Sequence, residues 1–184
     1  HPDLEDDPQR PTALTVLALS AGWSTDAARA ERVGQQLLSL APSAGSGQGE
    51  EGDGQSLMLG HLALGFSHWL RGQLVSARDH LSRALTPHDL HAGRPLGGLV
   101  AVDSGVMAQT MLGAVLWQLG YPDQARARFR QAIAWGQELD QPSSLAFSHF
   151  MAMMTTSVLG RDLATALGHH QALRPLGQLN LVYG

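Results

Sequence analysis

The chain has 184 residues and contains neither cysteine nor lysine. The lack of cysteine excludes disulfides, thiolate nucleophiles and cysteine zinc sites. It also means that cysteine usage gives no indication of the redox compartment. The lack of lysine removes the phosphate-loop lysine and the Schiff-base lysine, so the usual nucleotide-hydrolysing machinery is incomplete. Isoleucine occurs once, at Ile133, and tyrosine twice, whereas leucine and alanine are the most abundant residue types. This amino-acid composition favours helices over strands.

The distribution of charged and apolar residues gives no indication of a nucleic-acid-binding or membrane-spanning protein. Residues 1–55 hold nine acidic residues against three arginines, and residues 56–184 hold seven against nine. Residues 1–55 are net negative, and residues 56–184 have only two more arginines than acidic residues, which is too small an excess for a nucleic-acid surface. No apolar run reaches the roughly 18 residues of a membrane span. We therefore expect a soluble, cytoplasmic helical protein without a nucleic-acid or membrane partner.

An internal repeat organises the centre of the chain. Leu64-Gly65 and Leu112-Gly113 are each followed by a second glycine, two alanines and a large apolar residue at identical offsets. The paired positions are Gly72 and Gly120, Ala77 and Ala125, Leu81 and Phe129, and Ala84 and Ala132. Apolar residues recur at helical spacing on both sides of the second glycine, which predicts a helix hairpin with Gly72 or Gly120 at its turn. Gly65 and Gly113, together with the alanines of the facing helix, allow the two helices to approach closely.

Two weaker hairpins flank these repeats, which gives about four antiparallel hairpins in all. The residues divide as follows: a disordered lead-in at 1–10, a degenerate hairpin at 11–41, a Gly-rich linker at 42–55, a repeat at 56–86, a connector at 87–102, a repeat at 103–138, a degenerate repeat at 142–174, and a tail or start of a further helix at 175–184. In the last hairpin Gly160 is expected at the turn, the hairpin is one residue longer than the pattern, and Met153 replaces the first glycine.

The Leu-Gly and Ala-x3-Phe pattern resembles the tetratricopeptide (TPR) repeat. The resemblance implies an all-α, right-handed superhelix, or α-solenoid, of stacked hairpins. Several segments are also similar to the C-terminal helical region of bacterial STAND-type signalling ATPases, many of which carry an adenylate/guanylate cyclase domain. These segments are Asp6–Arg10, Arg94, Asp103, Gly105-Val106, Leu116-Trp117, Leu119–Ala125 and Ser144–Phe147. The similarity implies that the chain is a fragment of a larger signalling protein whose catalytic motifs lie elsewhere, and that Arg94 and Asp103 form a structural ion pair.

Side chains able to do chemistry are present, but their spacing favours structural roles. His61 and His68 lie seven residues apart on one helix, too far for two metal ligands without a third between them, and His169 and His170 are adjacent. Asp79-His80 could be half of a hydrolytic dyad, yet no serine motif accompanies it. The arginines at 126, 128 and 130 read as a solvated helix face. We therefore predict no catalytic residue, no metal site and no cofactor.

The strongest functional candidate is a surface. In a TPR superhelix the first helix of each hairpin lines the concave side, and its residues that face away from the second helix contact a bound partner. Those positions are Leu59, Leu62, Phe66 and Trp69; Met107, Thr110, Ala114 and Trp117; and Phe147, Phe150, Met154 and Ser157. Ten of these twelve residues are apolar, and tryptophans are natural interface anchors.

This surface predicts a non-catalytic protein-interaction scaffold, and the resemblance to the signalling ATPases implies that it senses or relays a signal within a larger parent. Its partners would be protein or peptide segments, other domains of the same parent chain, or a second copy in a homodimer. One alternative is the sensor arm of a maltose-regulator-type bacterial transcription activator, which would bind a small ligand. A further alternative is a free-standing enzyme with a histidine metal site.

Overall fold

The computed structural model describes residues 26–40, 50–85 and 102–177. These ranges contain seven α-helices and no β-strand. The helices are α1 (Ala27–Leu40), α2 (Glu50–Leu70), α3 (Leu74–Arg83), α4 (Ser104–Gln118), α5 (Pro122–Glu138), α6 (Pro142–Met154) and α7 (Leu163–Gly177). The predicted all-α class is confirmed for this part of the chain. The predicted lead-in at 1–10, residues 11–25 of the degenerate hairpin, most of the connector, and Arg94 lie outside the described residues.

The chain divides into two compact units, His1–Leu99 and Val100–Gly184. In the first unit α1 packs on α2, and α2 pairs with α3. In the second unit α4 pairs with α5 and α6 with α7, while α6 also contacts both α4 and α5. The second unit therefore consists of two helix hairpins stacked on each other.

In the first unit, α1 and α2 cross at two glycines. A methyl group built on Gly34 would lie 3.1 Å from the carbonyl oxygen of Gly60, and one built on Gly60 would lie 3.1 Å from that of Gly34. The helices can therefore pack with their backbones almost in contact, and Val33, Leu37, Leu59 and Ala63 form a buried cluster. At one end of α2 the Ser67 hydroxyl donates to the carbonyl of Ala27 at 2.7 Å.

The hairpins α2/α3 and α4/α5 are built alike. A methyl group on Gly65 would lie 2.7 Å from Leu81 Cγ, and one on Gly113 would lie 3.0 Å from the Phe129 ring. Ala77, Ala84, Ala125 and Ala132 are fully buried. The first helix of each hairpin thus carries a glycine where the large apolar side chain of the second helix packs, and small alanines complete the interface.

Both turns use the same helix-ending motif. Gly72 and Gly120 have positive φ values of 71° and 89°. The Gly72 amide donates to the Trp69 carbonyl and the Gln73 amide to the His68 carbonyl, with the equivalent bonds at Gly120 and Tyr121. This is the Schellman arrangement, which favours glycine because only glycine takes this conformation without a side-chain penalty.

The third hairpin differs by one inserted residue. Between α6 and α7 the chain forms a π-helical turn, Thr155–Leu159, and the left-handed residue is Arg161 at φ 51°. Gly160 has φ −87°, so the prediction of the turn at Gly160 is off by one position. The wider π turn adds one residue to the first helix, and it accounts for the extra residue seen in the sequence pattern.

The predicted linker also needs a correction. Helix α2 begins at Glu50, so the last six residues of the segment assigned to 42–55 are helical, although two of them are glycine. Ser56 and Met58 are buried, which anchors the helix beyond the linker. Extending an anchored helix by one turn costs far less than starting a new one, and this outweighs the low helix propensity of glycine. At the other end, α7 runs to Gly177, past the predicted boundary of the tail at 175.

Asp103 caps the N-terminus of α4 and links this helix to α6. Its carboxylate accepts a hydrogen bond from the Val106 amide at 2.9 Å, and its own amide donates to Ser144 Oγ at 2.9 Å. Its side chain is buried, and burial raises the pKa of this carboxyl, against the opposing effect of the amides of Val106 and Gly105. Asp103 is therefore a helix cap held inside the unit.

We expect Asp103→Ala to lower the free energy of unfolding by about 1–2 kcal/mol, because the Val106 amide loses its acceptor. Asp103→Asn should keep the cap and stay within a few tenths of a kcal/mol of the parent at low pH. Because the folded-state pKa of Asp103 is raised, the parent loses stability as pH rises through that pKa, whereas the Asn variant does not. Urea titrations of the three proteins between pH 3.5 and 7 measure this. An Ala variant as stable as the parent would contradict the capping role.

Candidate interaction surface

Five of the predicted surface residues are buried inside the units. Leu59, Leu62, Met107, Thr110 and Ala114 expose 3%, 2%, 5%, 0% and 2% of their surface. Leu59 belongs to the cluster between α1 and α2, and the Thr110 hydroxyl lies 3.0 Å from Ser148 Oγ on α6. The prediction that these side chains face a bound partner is therefore corrected. The first helix of a hairpin packs on a helix outside its own hairpin as well as on its partner, and those contacts use the positions assigned to the groove.

The two tryptophans are partly covered. Trp69 meets the Phe66 ring edge-to-face, with centroids 5.7 Å apart. Trp117 lies under the guanidinium of Arg126, 5.0 Å from the ring centroid, and a methyl group on Gly160 would lie 2.5 Å from its ring. Phe147 and Ser157 are half-buried, and Ala114 is buried. The predicted tryptophan anchors thus already make contacts within their own units.

The exposed apolar residues concentrate in the last described hairpin. Phe150 and Met154 on α6 expose 47% and 42% of their surface. Four residues that the sequence reasoning missed join them: Val158 and Leu159 in the π turn, and Leu163 and Leu167 on α7, which are 68% and 58% exposed. We call these six residues the stacking face. Leu163 and Leu167 lie one helical turn apart, a spacing that could have identified them.

Two residues of the stacking face correspond to positions that are buried in the preceding hairpin. Phe150 occupies the place of Thr110, which is buried against α6. Met154 likewise occupies the place of Ala114, which exposes 2% of its surface. Leu167 occupies the place of Arg126, a charge close enough to Asp162 to lower the pKa of that carboxyl, after the larger effect of its hydrogen bonds with Thr165. The side of the hairpin that faces its neighbour in α4/α5 is thus open and apolar in α6/α7.

The histidines form cross-hairpin pairs. His61 Nδ1 and His80 Nδ1 lie 3.0 Å apart, and so do His149 Nδ1 and His169 Nδ1. His68 stacks on His80 with centroids 5.2 Å apart, so His80 lies between the two histidines of α2. Within the described ranges, no group of three or more metal-ligating side chains has metal-binding geometry.

The other charged side chains make local contacts. The Asp79 carboxylate accepts from Arg78 at 2.7 Å, and Arg126 donates to Asp123 at 3.0 Å. Arg128 donates to Gln109 at 3.5 Å. The arginine series on α5 thus includes intramolecular partners for two of its members.

This geometry defines a class of protein: paired antiparallel helices that repeat along the chain, with glycine and alanine at the interface of each pair. The family model of the tetratricopeptide repeat matches residues 58–83 and 106–131, which lie in α2/α3 and α4/α5. The chain therefore carries TPR-like hairpins, and repeats of this family are typically protein-interaction scaffolds without enzymatic activity. Comparison with curated proteins and with solved structures gives no significant match. In the described helices, none has the length and apolar character needed to span a membrane.

Proposed function

We propose that this chain is a protein-interaction scaffold that binds an apolar helical segment of its partner on the stacking face. The observation that supports this most is the exposure of Phe150, Met154, Leu163 and Leu167 in one hairpin. Large apolar side chains gathered on one surface of a folded protein are typical of interaction sites. The TPR matches in the preceding helices support the same class of function.

A helix is the partner that the repeat geometry favours. In the second unit α6 packs against α4, where the Thr110 hydroxyl lies 3.0 Å from Ser148 Oγ and Ala114, one turn further along α4, is also buried. The equivalent positions on α6 carry Phe150 and Met154, which present more apolar area than threonine and alanine. A partner helix placed on α6 as α6 is placed on α4 would bury both side chains, and its small residues would have to face them.

The larger context belongs to the proposal as well. The similarity of Leu119–Ala125 and Ser144–Phe147 to the helical region of cyclase-linked STAND-type ATPases supports a role within a bacterial signalling protein. In such a protein the helix bound by the stacking face would come from another domain of the same parent. Partner binding would then shift the populations of different hairpin arrangements, because each repeat contacts only its neighbours. Sequencing the surrounding gene tests this context, and a parent gene without an ATPase or cyclase domain would contradict it.

The binding proposal predicts that helical peptides selected against the purified chain depend on the stacking face. A displayed library of amphipathic helices supplies the ligands, and titration calorimetry measures their Kd. We expect Phe150→Gln with Met154→Gln, or Leu163→Gln with Leu167→Gln, to weaken binding at least about tenfold, because buried apolar anchors supply most of the affinity at such interfaces.

The matched control is Val75→Gln on α3, an apolar residue of similar exposure, 55%, in the other unit. It should leave Kd within about twofold. Circular dichroism of each variant checks that the helices remain folded. Peptides that bind all variants equally, or a library that yields no binder, would contradict the proposal.

A further inference from the structure

A polar pair joins the two helices at the same place in all three described hairpins. In α2/α3 the pair is His61 and His80, and at the equivalent positions of α4/α5 it is Gln109 and Arg128. In α6/α7 the pair is His149 and His169, and the second histidine lies one position later than the repeat requires because of the π turn. The hairpins α2/α3 and α6/α7 therefore use histidines where the middle hairpin, α4/α5, uses side chains that do not titrate near neutrality.

The contact between the two imidazoles sets how many protons the pair can hold. A distance of 3.0 Å between the Nδ1 atoms of His149 and His169 is that of one N–H donating to one lone pair. This bond exists when both rings are neutral, and it survives when one ring gains a proton, because the other still offers its lone pair. When both rings are protonated, two N–H groups face each other and the bond is lost.

The surroundings of the pair disfavour added charge. Helix α6 packs against α4, which carries no charged side chain, and against α5 and α7. The other charged or titratable side chains of these two helices are Asp123, Arg126, Arg128, Arg130 and Glu138 on α5, and His170 and Arg174 on α7. Burial lowers the pKa of His149, with a smaller contribution from His169, and burial alone lowers that of His169. None of the other charged groups on α5 and α7 is among the causes that shift the pKa of His149 or His169, and neither ring has a carboxylate that raises its pKa.

The pair in the first unit has more neighbours. Burial is the largest cause that lowers the pKa of His80; His68 and Arg83 lower it further, and Asp79 raises it. The pair in α6/α7 is therefore the simpler of the two, since it has no nearby acid to offset the effect of burial.

We propose that the His149–His169 pair is a pH-responsive contact: it holds α6 against α7 at neutral pH, and its double protonation in mild acid opens this hairpin while α4/α5 stays closed. The selectivity comes from the repeat itself, because at the equivalent place in α4/α5 Gln109 accepts from Arg128 and donates to Gln131, and none of these side chains titrates in this range.

The sign and size of the effect follow from linkage. The closed hairpin binds protons more weakly than the open one, so the closed state is fully favoured above the ordinary histidine pKa of about 6.5 and loses stability as pH falls below it. If both rings stay neutral in the closed state, the opening constant of α6/α7 rises about fivefold per histidine between pH 6.5 and 5.5, or up to about thirtyfold for the pair.

Two measurements on the full chain test this. The first is the imidazole ¹⁵N chemical shifts of His149 and His169 from pH 8 to 5. At pH 6.5 we expect both rings to be neutral, with an N–H at the Nδ1 of one ring and a lone pair at the Nδ1 of the other. The second is amide hydrogen exchange, corrected for intrinsic rates, where we expect opening of α6/α7 to increase at least about tenfold between pH 6.5 and 5.5 and opening of α4/α5 to change less than about twofold.

The matched variant is His149→Gln with His169→Arg, which places in α6/α7 the two residue types that the middle hairpin has at positions 109 and 128. It should remove the pH dependence of opening in α6/α7, whereas His170→Gln, a change at the exposed neighbouring histidine, should leave it intact. Equal pH dependence in the parent and in the matched variant would overturn the proposal. If the variant does not fold, the chemical shifts of the parent still decide, since two fully protonated rings at pH 6.5 would also overturn it.

Discussion

Phe129→Ala is expected to lower the free energy of unfolding of the second unit by about 3–5 kcal/mol. Phe129 is 2% exposed, and its ring lies against Gly113 on the facing helix. Truncation leaves a cavity that α4 and α5 cannot close, because Ala125 and Ala132 on either side are already fully buried. Urea denaturation followed by the fluorescence of Trp117 and Trp135, which both belong to this unit, measures the loss.

Phe129→Leu is the matched control, because the first unit has Leu81 opposite Gly65 at the equivalent place. A leucine keeps most of the apolar volume, so we expect it to cost less than about 1.5 kcal/mol. If the Ala variant were no less stable than the Leu variant, the side chain could not be the main filler of this interface.

Gly65→Ala is expected to destabilise the first unit by about 1–3 kcal/mol, although alanine is the better helix former. The added methyl group would lie 2.7 Å from Leu81 Cγ and 2.9 Å from its Cδ2, and 3.3 Å from the Leu81 amide nitrogen. Because Leu81 is fully buried, its side chain has no free space to move into. The helices must therefore separate or Leu81 must leave its preferred rotamer. Urea denaturation followed by far-ultraviolet circular dichroism measures the change.

Gly168→Ala supplies the opposite expectation within the same protein. Gly168 lies inside α7, is exposed, and a methyl group built on it meets nothing within 4 Å. Only helix propensity operates there, so we expect a gain of about 0.5–1 kcal/mol. If both substitutions stabilised the protein, close helix contact would not be the reason for the glycine at position 65.

The hairpins could be predicted because their determinants are local. Gly72 and Gly120 mark turns that require a positive φ, and the apolar spacing on either side of them gives the helices. Gly65 and Gly113 indicated close contact because the same offsets recur in both repeats. In the third hairpin, where Met153 and Arg161 stand in place of the two glycines, the same reasoning found the helices but placed the turn one residue early.

The surface could not be predicted in the same way. Thr110 and Phe150 occupy equivalent positions in their helices, yet one is fully buried and the other is nearly half exposed. The difference depends on whether another helix lies against that face, and a repeat pattern contains no information about this. The same limit applied to the histidines: the repeat places both pairs at equivalent positions, but it does not show that their Nδ1 atoms meet.

The amino-acid sequence alone thus determined the helical class, the pairing of the helices and the small residues at their interfaces, because these depend on backbone conformation and side-chain size within a single hairpin. Tertiary structure decided which apolar side chains remain open and which polar side chains meet across a hairpin. Burial and hydrogen bonding at those positions depend on the three-dimensional placement of neighbouring helices, and the π turn after α6 shows that one inserted residue is enough to change that placement.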